Sequence, residues 1–539
     1  MSAARIASAE VRAALLERRE IALIDVREEA PHAEGHPLFA AQISRSRLEL
    51  EVFARLPRRD VPIVTLDDTG AAGGRAERAA EKLAELGYTH VAVLAGGVFG
   101  QGGWRDSGGE IFRDVNVPSK AFGELVDATL KTPSLAAEAV QTLLDAKEDV
   151  LIVDVRRFDE YQTMNIPGSI SVPGAELALR VPVLAPDPKT RVIVNCAGRT
   201  RSIIGTQSLI NWGLANPVAA LRNGTIGWTL AGQTLEHQQN RNFPAIVPEA
   251  LRQRAAEKAA ALARRAGARL IDHAGIAAFL ADTTRTTYCI DVRDPAEYQA
   301  GHRPGFQNVP GGQLVQETEM TLSVRGARVV LSDTDGVRAP MTASWLAQMA
   351  WEVYTCRETE AAALTETGAW RPPLPPLPDV PNISPATLAE WLASDTPPAI
   401  LDFTRHQSYR QGHIPGAWFA LRADLAQALA AIPKAGRYVL TCLSGLLGHY
   451  AHAEAQALLP DAEVFVLAGG TNAWVAAGLP LATEEKLATP ASDRYQRPYE
   501  GTQASPAAMQ AYLDWEYGLV AQLERDGSHH FQVLKPCVT

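Results

Sequence analysis

RVIVNCAGRTRS, residues 191–202, passes from one kind of local structure to another around a single cysteine. Val192-Ile193-Val194 is short, β-branched and apolar, as a buried strand should be. Behind it the apolar pairs Ile203-Ile204 and Leu209-Ile210 recur about two helical turns apart, which predicts a helix ending near Gly213. Cys196 therefore falls in a tight strand-to-helix loop. The amide N–H groups of such a loop point inward at the positive end of the helix, which biases a sulfur there toward thiolate. The competing reading is a buried cysteine without chemistry, because free cysteine is among the most often buried residues.

The chain has 539 residues, too many for one core, and at ~100–200 residues per domain it should hold roughly three to five. A formal net charge of −10 argues against nucleic acid as a partner, since phosphate binding needs a clustered positive field. The N-terminus mixes charged and apolar residues without the continuous apolar core of a secretory signal. No run approaches ~20 apolar residues, so no membrane partner is expected. The five cysteines, Cys196, Cys289, Cys356, Cys442 and Cys537, are widely spaced with no CxxC. Neither a disulfide framework nor a structural zinc site is expected, and a reducing cytoplasm fits. No metal or other cofactor is expected, and no glycine-rich phosphate loop follows a strand and opens a helix.

The strongest organisational signal is repetition. Four apolar strands end in an acidic residue: ALIDVR (22–27), LIVDVR (151–156), YCIDVR (288–293) and AILDFT (399–404). A turn follows each, as GHP (35–37), NIPGSI (165–170), GHRPGF (301–306) and GHIPGA (412–417). Then comes a second strand, PIVTLDDTG from 62, VIVNCAGRT from 192, VVLSDTDGV from 329 and YVLTCLSGL from 438. A helical pattern, a third strand and a late Gly/Trp turn complete each unit, the third copy being the most worn. Strand and helix in alternation predict an α/β fold, four small domains each with a mainly parallel sheet flanked by helices. Ligands of such sheets sit at the carboxyl ends of the strands. The second strand delivers Asp67, Cys196, Asp333 and Cys442 to that end, with Asp68 a rival for the first position.

The expected domains are 1–115, 130–240, 265–372 and 383–484. A Lys/Arg/Ala-rich helix leads into the third, and the proline-rich linker RPPLPPLPDVP (371–381) precedes the fourth. The remainder, 485–539, should be a helical tail packed against unit four or a partner subunit. No catalytic role is read from it, and the oligomeric state is left open.

In order and in fourfold repetition, the DVR opening, the GHIPGA turn, the strand ending in cysteine and the late LAGG…W segment resemble a rhodanese-like sulfurtransferase over nearly all of residues 1–484. The arrangement looks like two tandem pairs, each an inactive Asp unit followed by a Cys unit. The resemblance implies that Cys196 takes a sulfane sulfur from a donor, keeps it as a persulfide and passes it to a thiol or other thiophilic acceptor. Ala197, Gly198, Arg199, Thr200, Arg201 and Ser202 would form the substrate cradle, the arginines holding a sulfonate-like donor by charge-assisted hydrogen bonds. Thiosulfate or a persulfide suits this cationic loop.

In unit four Cys442 and Gly445 hold the corresponding positions, but Leu446 and Leu447 stand where unit two has Thr200 and Arg201. His449 is the one nearby cation, so sulfur turnover there is the weaker expectation. Cys289 reads as core, and Cys356 and Cys537 lack a cradle. Asp154, Arg156 and Glu160 read as fold-holding, and Trp228 as core or pocket wall. A cysteine-dependent phosphatase or arsenate reductase is one rival, disfavoured because only four residues separate Cys196 from Arg201. A non-catalytic scaffold or sulfur-carrier platform is the other, and relay from Cys196 to Cys442 a variant of it.

Overall fold

The computed structural model describes residues 3–357, 363–501 and 504–535. They form four five-stranded sheets with one shared strand order: first, fifth, fourth, second, third. In unit two that order is Ser134–Leu135, Val218–Leu221, Arg191–Asn195, Val150–Asp154 and Ile170–Ser171. Neighbouring strands within each sheet run parallel, so each connection is a crossover that lays helix or turn over the sheet. The expected α/β architecture is the observed one. Arg191–Asn195 is the central strand, and Val192, Ile193 and Val194 are fully buried, each contributing about 1.5–3 kcal/mol by leaving water.

Register equates the four strand ends. Asp25 lies opposite Leu66, Asp154 opposite Asn195, Asp291 opposite Ser332 and Asp402 opposite Thr441. The next residue is Asp67, Cys196, Asp333 or Cys442, which decides for Asp67 over Asp68. In three units the DVR arginine folds back on its own aspartate. Arg156 Nε and Nη2 donate to Asp154 at 2.9 and 2.8 Å, and Nη2 also donates to the Met164 carbonyl at 2.5 Å. Arg27 and Arg293 repeat this clamp on Asp25 and Asp291. In unit four Thr404 stands in the arginine's place, and Asp402 keeps one buried oxygen without a hydrogen-bond partner among the described residues.

The units pair across the chain. The Arg45–Arg47 turn of unit one packs on the Arg422–Asp424 turn of unit four. The Gly174–Glu176 turn of unit two packs on helix Gly311–Gln316 of unit three, where Arg338 donates to Glu176 at 2.9 Å. Each Cys unit thus meets an Asp unit, one with four and two with three. Helix Glu249–Arg265, the expected basic stretch, packs on both units two and three.

Two segments lie outside the four units, and the second differs from expectation. Residues 117–130, between the expected first and second domains, form a helix, Val117–Leu130, with most of its N-terminal half buried. The tail does not stay on unit four. Lys486 and Ala488 bond to Phe419 there, but Tyr495 then reaches Glu29 of unit one. Helix Pro506–Tyr517 docks on Val117–Leu130 and on helix Gly224–Leu230 of unit two. Gly518 ends it, and a second helix, Leu519–Asp526, follows. The reason is hydrophobic: Met509, Tyr512 and Leu513 bury themselves against Ile226.

Candidate active site

The two aspartate loops reveal what the cysteine loops are built to hold. Asp67 Oδ1 accepts from the amides of Thr69 and Gly70 at 3.1 and 2.6 Å, and Oδ2 from Ala76 at 2.9 Å. Asp333 accepts from Gly336 and Ala339, both at 2.8 Å. In units one and three a resident carboxylate therefore occupies a ring of inward-facing amides. Unit two carries a sulfur instead of a carboxylate at that position.

Cys196 is 2% exposed. Its carbonyl accepts from Thr225 N at 2.9 Å, and the Ala197 carbonyl from Ile226 N at 3.0 Å, tying the loop to the start of helix Gly224–Leu230. Gly224 adopts φ +55, and a Cβ there would overlap the Cys196 carbonyl oxygen, so only glycine fits. Gly470 holds the same relation to Cys442 in unit four. Helix Thr200–Trp212 begins right behind the loop and ends at Gly213, as its spacing predicts. Ala197, Gly198, Thr200 and Ser202 are all buried around the cysteine.

Burial pushes the Cys196 thiol up. The Arg201 charge and the Ser202 hydroxyl and amide oppose this, while Glu516 adds to it. The expected bias toward thiolate is thus outweighed by desolvation. The two arginines part company. Arg199 turns away from the loop: it donates to Glu124 at 2.7 and 2.8 Å, Asp127 at 3.0 Å, Tyr517 Oη at 2.9 Å and Asn223 Oδ1 at 3.4 Å. With its N–H groups so engaged, Arg199 clamps the tail and helix Val117–Leu130 to the loop, a correction to its expected place in the donor cradle. Arg201 stays beside the sulfur and lines a polar cavity of about 1030 Å³ between unit two, unit four and the tail.

In unit four Cys442 is 4% exposed, with Sγ 3.8 Å from Ser444 Oγ, and Leu443 and Ser444 face solvent. Gly445, at φ +83, caps the following helix. His449 points to the proline-rich linker, its Nδ1 donating to the Pro378 carbonyl at 3.1 Å, so it does not supply the missing cation. Cys289 and Cys356 lie in the core of unit three, and Cys537 lies outside the described residues. Trp228 is fully buried and donates to the Thr234 carbonyl at 2.9 Å, a core residue. Among the described residues no cluster of His, Cys, Asp and Glu could hold a metal ion, and no helix is long and apolar enough to cross a membrane.

Tyr512, Glu516, Lys120 and Glu124 escaped the reading of the sequence. The signal was present in the tail: Met509, Tyr512, Leu513 and Glu516 share one helical face, and a carboxylate on an otherwise apolar face marks a special position.

Comparison with known proteins follows the geometry. The family model for the rhodanese-like domain matches residues 8–101, 136–231, 276–358 and 384–477. The chain is similar to a crystal structure described as a thiosulfate sulfurtransferase from Pseudomonas aeruginosa, with 60% identity, a TM-score of 0.96, and 99% of this chain and 100% of that one covered. An HTH-type transcriptional regulator of Mycobacterium tuberculosis (strain ATCC 25618 / H37Rv), Rv0324, is 36% identical over 84 residues. That match takes in 16% of this chain and 36% of the regulator, so the chain spans about a third of that relative. The four matches fall on the four sheets and take up more than half of the sequence, and the chain accordingly belongs to the rhodanese-like family, in four copies.

Proposed function

We propose that this protein is a sulfurtransferase of the thiosulfate sulfurtransferase type, with Cys196 as its sulfur-carrying nucleophile. One observation carries the reading: at the strand end where Asp67 and Asp333 accept loop and helix amides, unit two places a sulfur beside the Ser202 amide and hydroxyl and the Arg201 charge. Preorganised amides of this kind stabilise anionic sulfur at no reorganisation cost. The thiolate attacks the outer sulfur of a sulfane donor. With thiosulfate, the new S–S bond forms as the donor's S–S bond breaks, and the electron pair leaves with sulfite. A thiophilic acceptor, such as a small thiol as thiolate, then bonds to the outer sulfur and returns the electron pair to Cys196. Two half-reactions through a covalent intermediate imply ping-pong kinetics.

Arg201 supports the first step through its charge beside the sulfur. Cys442 is the second candidate, in a loop with no arginine but with Leu443 and Ser444 open to a larger partner. The 60% identical thiosulfate sulfurtransferase favours thiosulfate as donor.

Incubation with thiosulfate followed by intact-mass analysis of the wild type, Cys196→Ser and Cys442→Ser tests this. The wild type should gain the mass of one sulfur at Cys196 and Cys196→Ser should not gain it there. Unchanged mass in all three sinks the reading, and loss of loading in Cys442→Ser alone moves the site to unit four.

A further inference from the structure

Helix Pro506–Tyr517 lies beyond the four matched units, yet it covers the Cys196 loop. Its Glu516 is 1% exposed. Oε1 accepts from Tyr512 Oη at 2.9 Å and from Thr200 Oγ1 at 3.5 Å. Oε2 is buried, has no hydrogen-bond partner among the described residues and faces Gly198: a Cβ built there would lie 3.4 Å from it and 3.3 Å from Tyr512 Cε1. An oxygen so placed is costly to bury and aimed at the backbone over the reactive sulfur.

The neighbouring charges are already spent. Lys120, on helix Val117–Leu130, pairs with Asp114 at 2.6 Å and lies over the rings of Tyr499, Tyr512 and Trp515. Arg199 is held by Glu124 and Asp127 and stacks on Tyr517. Glu124, Cys196, Tyr512 and Tyr499 are the remaining titratable neighbours, and each would add negative charge on losing its proton. Burial first, then Glu124, push the Glu516 carboxyl up to about 8, against the pull of Lys120, Tyr512 and Arg199. Near neutral pH this group is an acid with an O–H to donate.

Building on the sulfurtransferase reading, we propose that Glu516 is a specificity-determining residue of the Cys196 site: as the neutral acid it lets an anionic sulfur donor approach the loop, and as the carboxylate it turns that donor away. The tail thereby makes access of anions to Cys196 depend on one proton. Neutral reagents pay no such charge penalty.

Iodoacetate and iodoacetamide test this on the full-length protein. Both are displaced by the same thiolate with loss of iodide and differ in charge, so the ratio of their rates at Cys196, read by peptide mass, cancels thiol ionisation. In the wild type the iodoacetate to iodoacetamide ratio should fall roughly ten-fold as pH rises through about 8. In Glu516→Gln the ratio should stay flat. A flat ratio in the wild type overturns the proposal even if the variant fails to fold, as does a fall that persists in Glu516→Gln. If thiosulfate loads no sulfur while the alkylation ratio behaves as stated, the gate stands and the sulfurtransferase reading falls.

Discussion

Arg201 holds Glu160 through two parallel hydrogen bonds, Nη1 to Oε2 at 2.7 Å and Nη2 to Oε1 at 2.8 Å. Burial alone would raise the Glu160 carboxyl, but Arg201, then Arg156 and Arg157, bring it down to about 2. The pair fixes a positive charge beside Cys196, on a residue that also lines the cavity. Arg201→Ala should lower kcat/KM for thiosulfate by about 10–100-fold, the worth of a charge-assisted hydrogen bond. It should also shift the onset of Cys196 alkylation to higher pH. Steady-state kinetics and an iodoacetamide pH profile check both.

Gly224→Ala should disable unit two more than it destabilises the chain. The added methyl collides with the Cys196 carbonyl at a backbone angle that disfavours any side chain, and the loop that carries the sulfur must shift. We expect thiosulfate loading at Cys196 to fall by at least roughly ten-fold, since a small misplacement of a nucleophile is expensive, with secondary structure retained by circular dichroism. The matching Gly470→Ala should act on Cys442 alone.

Asp67→Asn replaces a carboxylate that accepts three amides with a group whose NH₂ must face an N–H donor. The expected cost is about 1–3 kcal/mol, read as a lower urea midpoint. Sulfur loading at Cys196 should be unchanged, because Asp67 belongs to another unit.

Arg422 and Glu49 form a buried bidentate pair between units four and one, with Nη2 to Oε1 at 2.8 Å. Removing one partner strands the other charge, so Arg422→Ala should cost about 3–5 kcal/mol, while Arg422→Met with Glu49→Leu should recover much of it. A double-mutant cycle in urea decides.

From Glu516 and Glu160 stability should fall on both sides of about pH 4.5, the unfolded carboxyl value. Glu516 has a raised folded value, so its contribution is complete below the unfolded value of about 4.5 and is lost as pH rises through about 8. Glu160 is depressed, so its contribution is present above that same range and is lost as pH falls through about 2. Glu516→Gln should flatten the decline in the urea midpoint between about pH 4.5 and 8, and Glu160→Gln the one below about 4.5.

The repeat, the parallel sheets, the strand-to-loop passage at Cys196 and the helix ending at Gly213 were legible because each is written in local terms: β-branched runs, helical spacing, and Gly or Pro at turns. Register then separated Asp67 from Asp68, a choice of one residue that spacing alone leaves open.

The arginines show where local reading stops. Arg199 and Arg201 are two residues apart and chemically identical, yet one serves Glu124 and Asp127 on a helix from another segment and the other stays beside the sulfur. From sequence alone, this chain determined its four α/β units and the single sulfur that each Cys unit brings to a strand end. Only tertiary structure decided that a helix more than 300 residues downstream would seal Cys196 with a carboxyl group, because burial, and with it the charge a group can carry, depends on which distant surfaces meet and not on the order of residues along the chain.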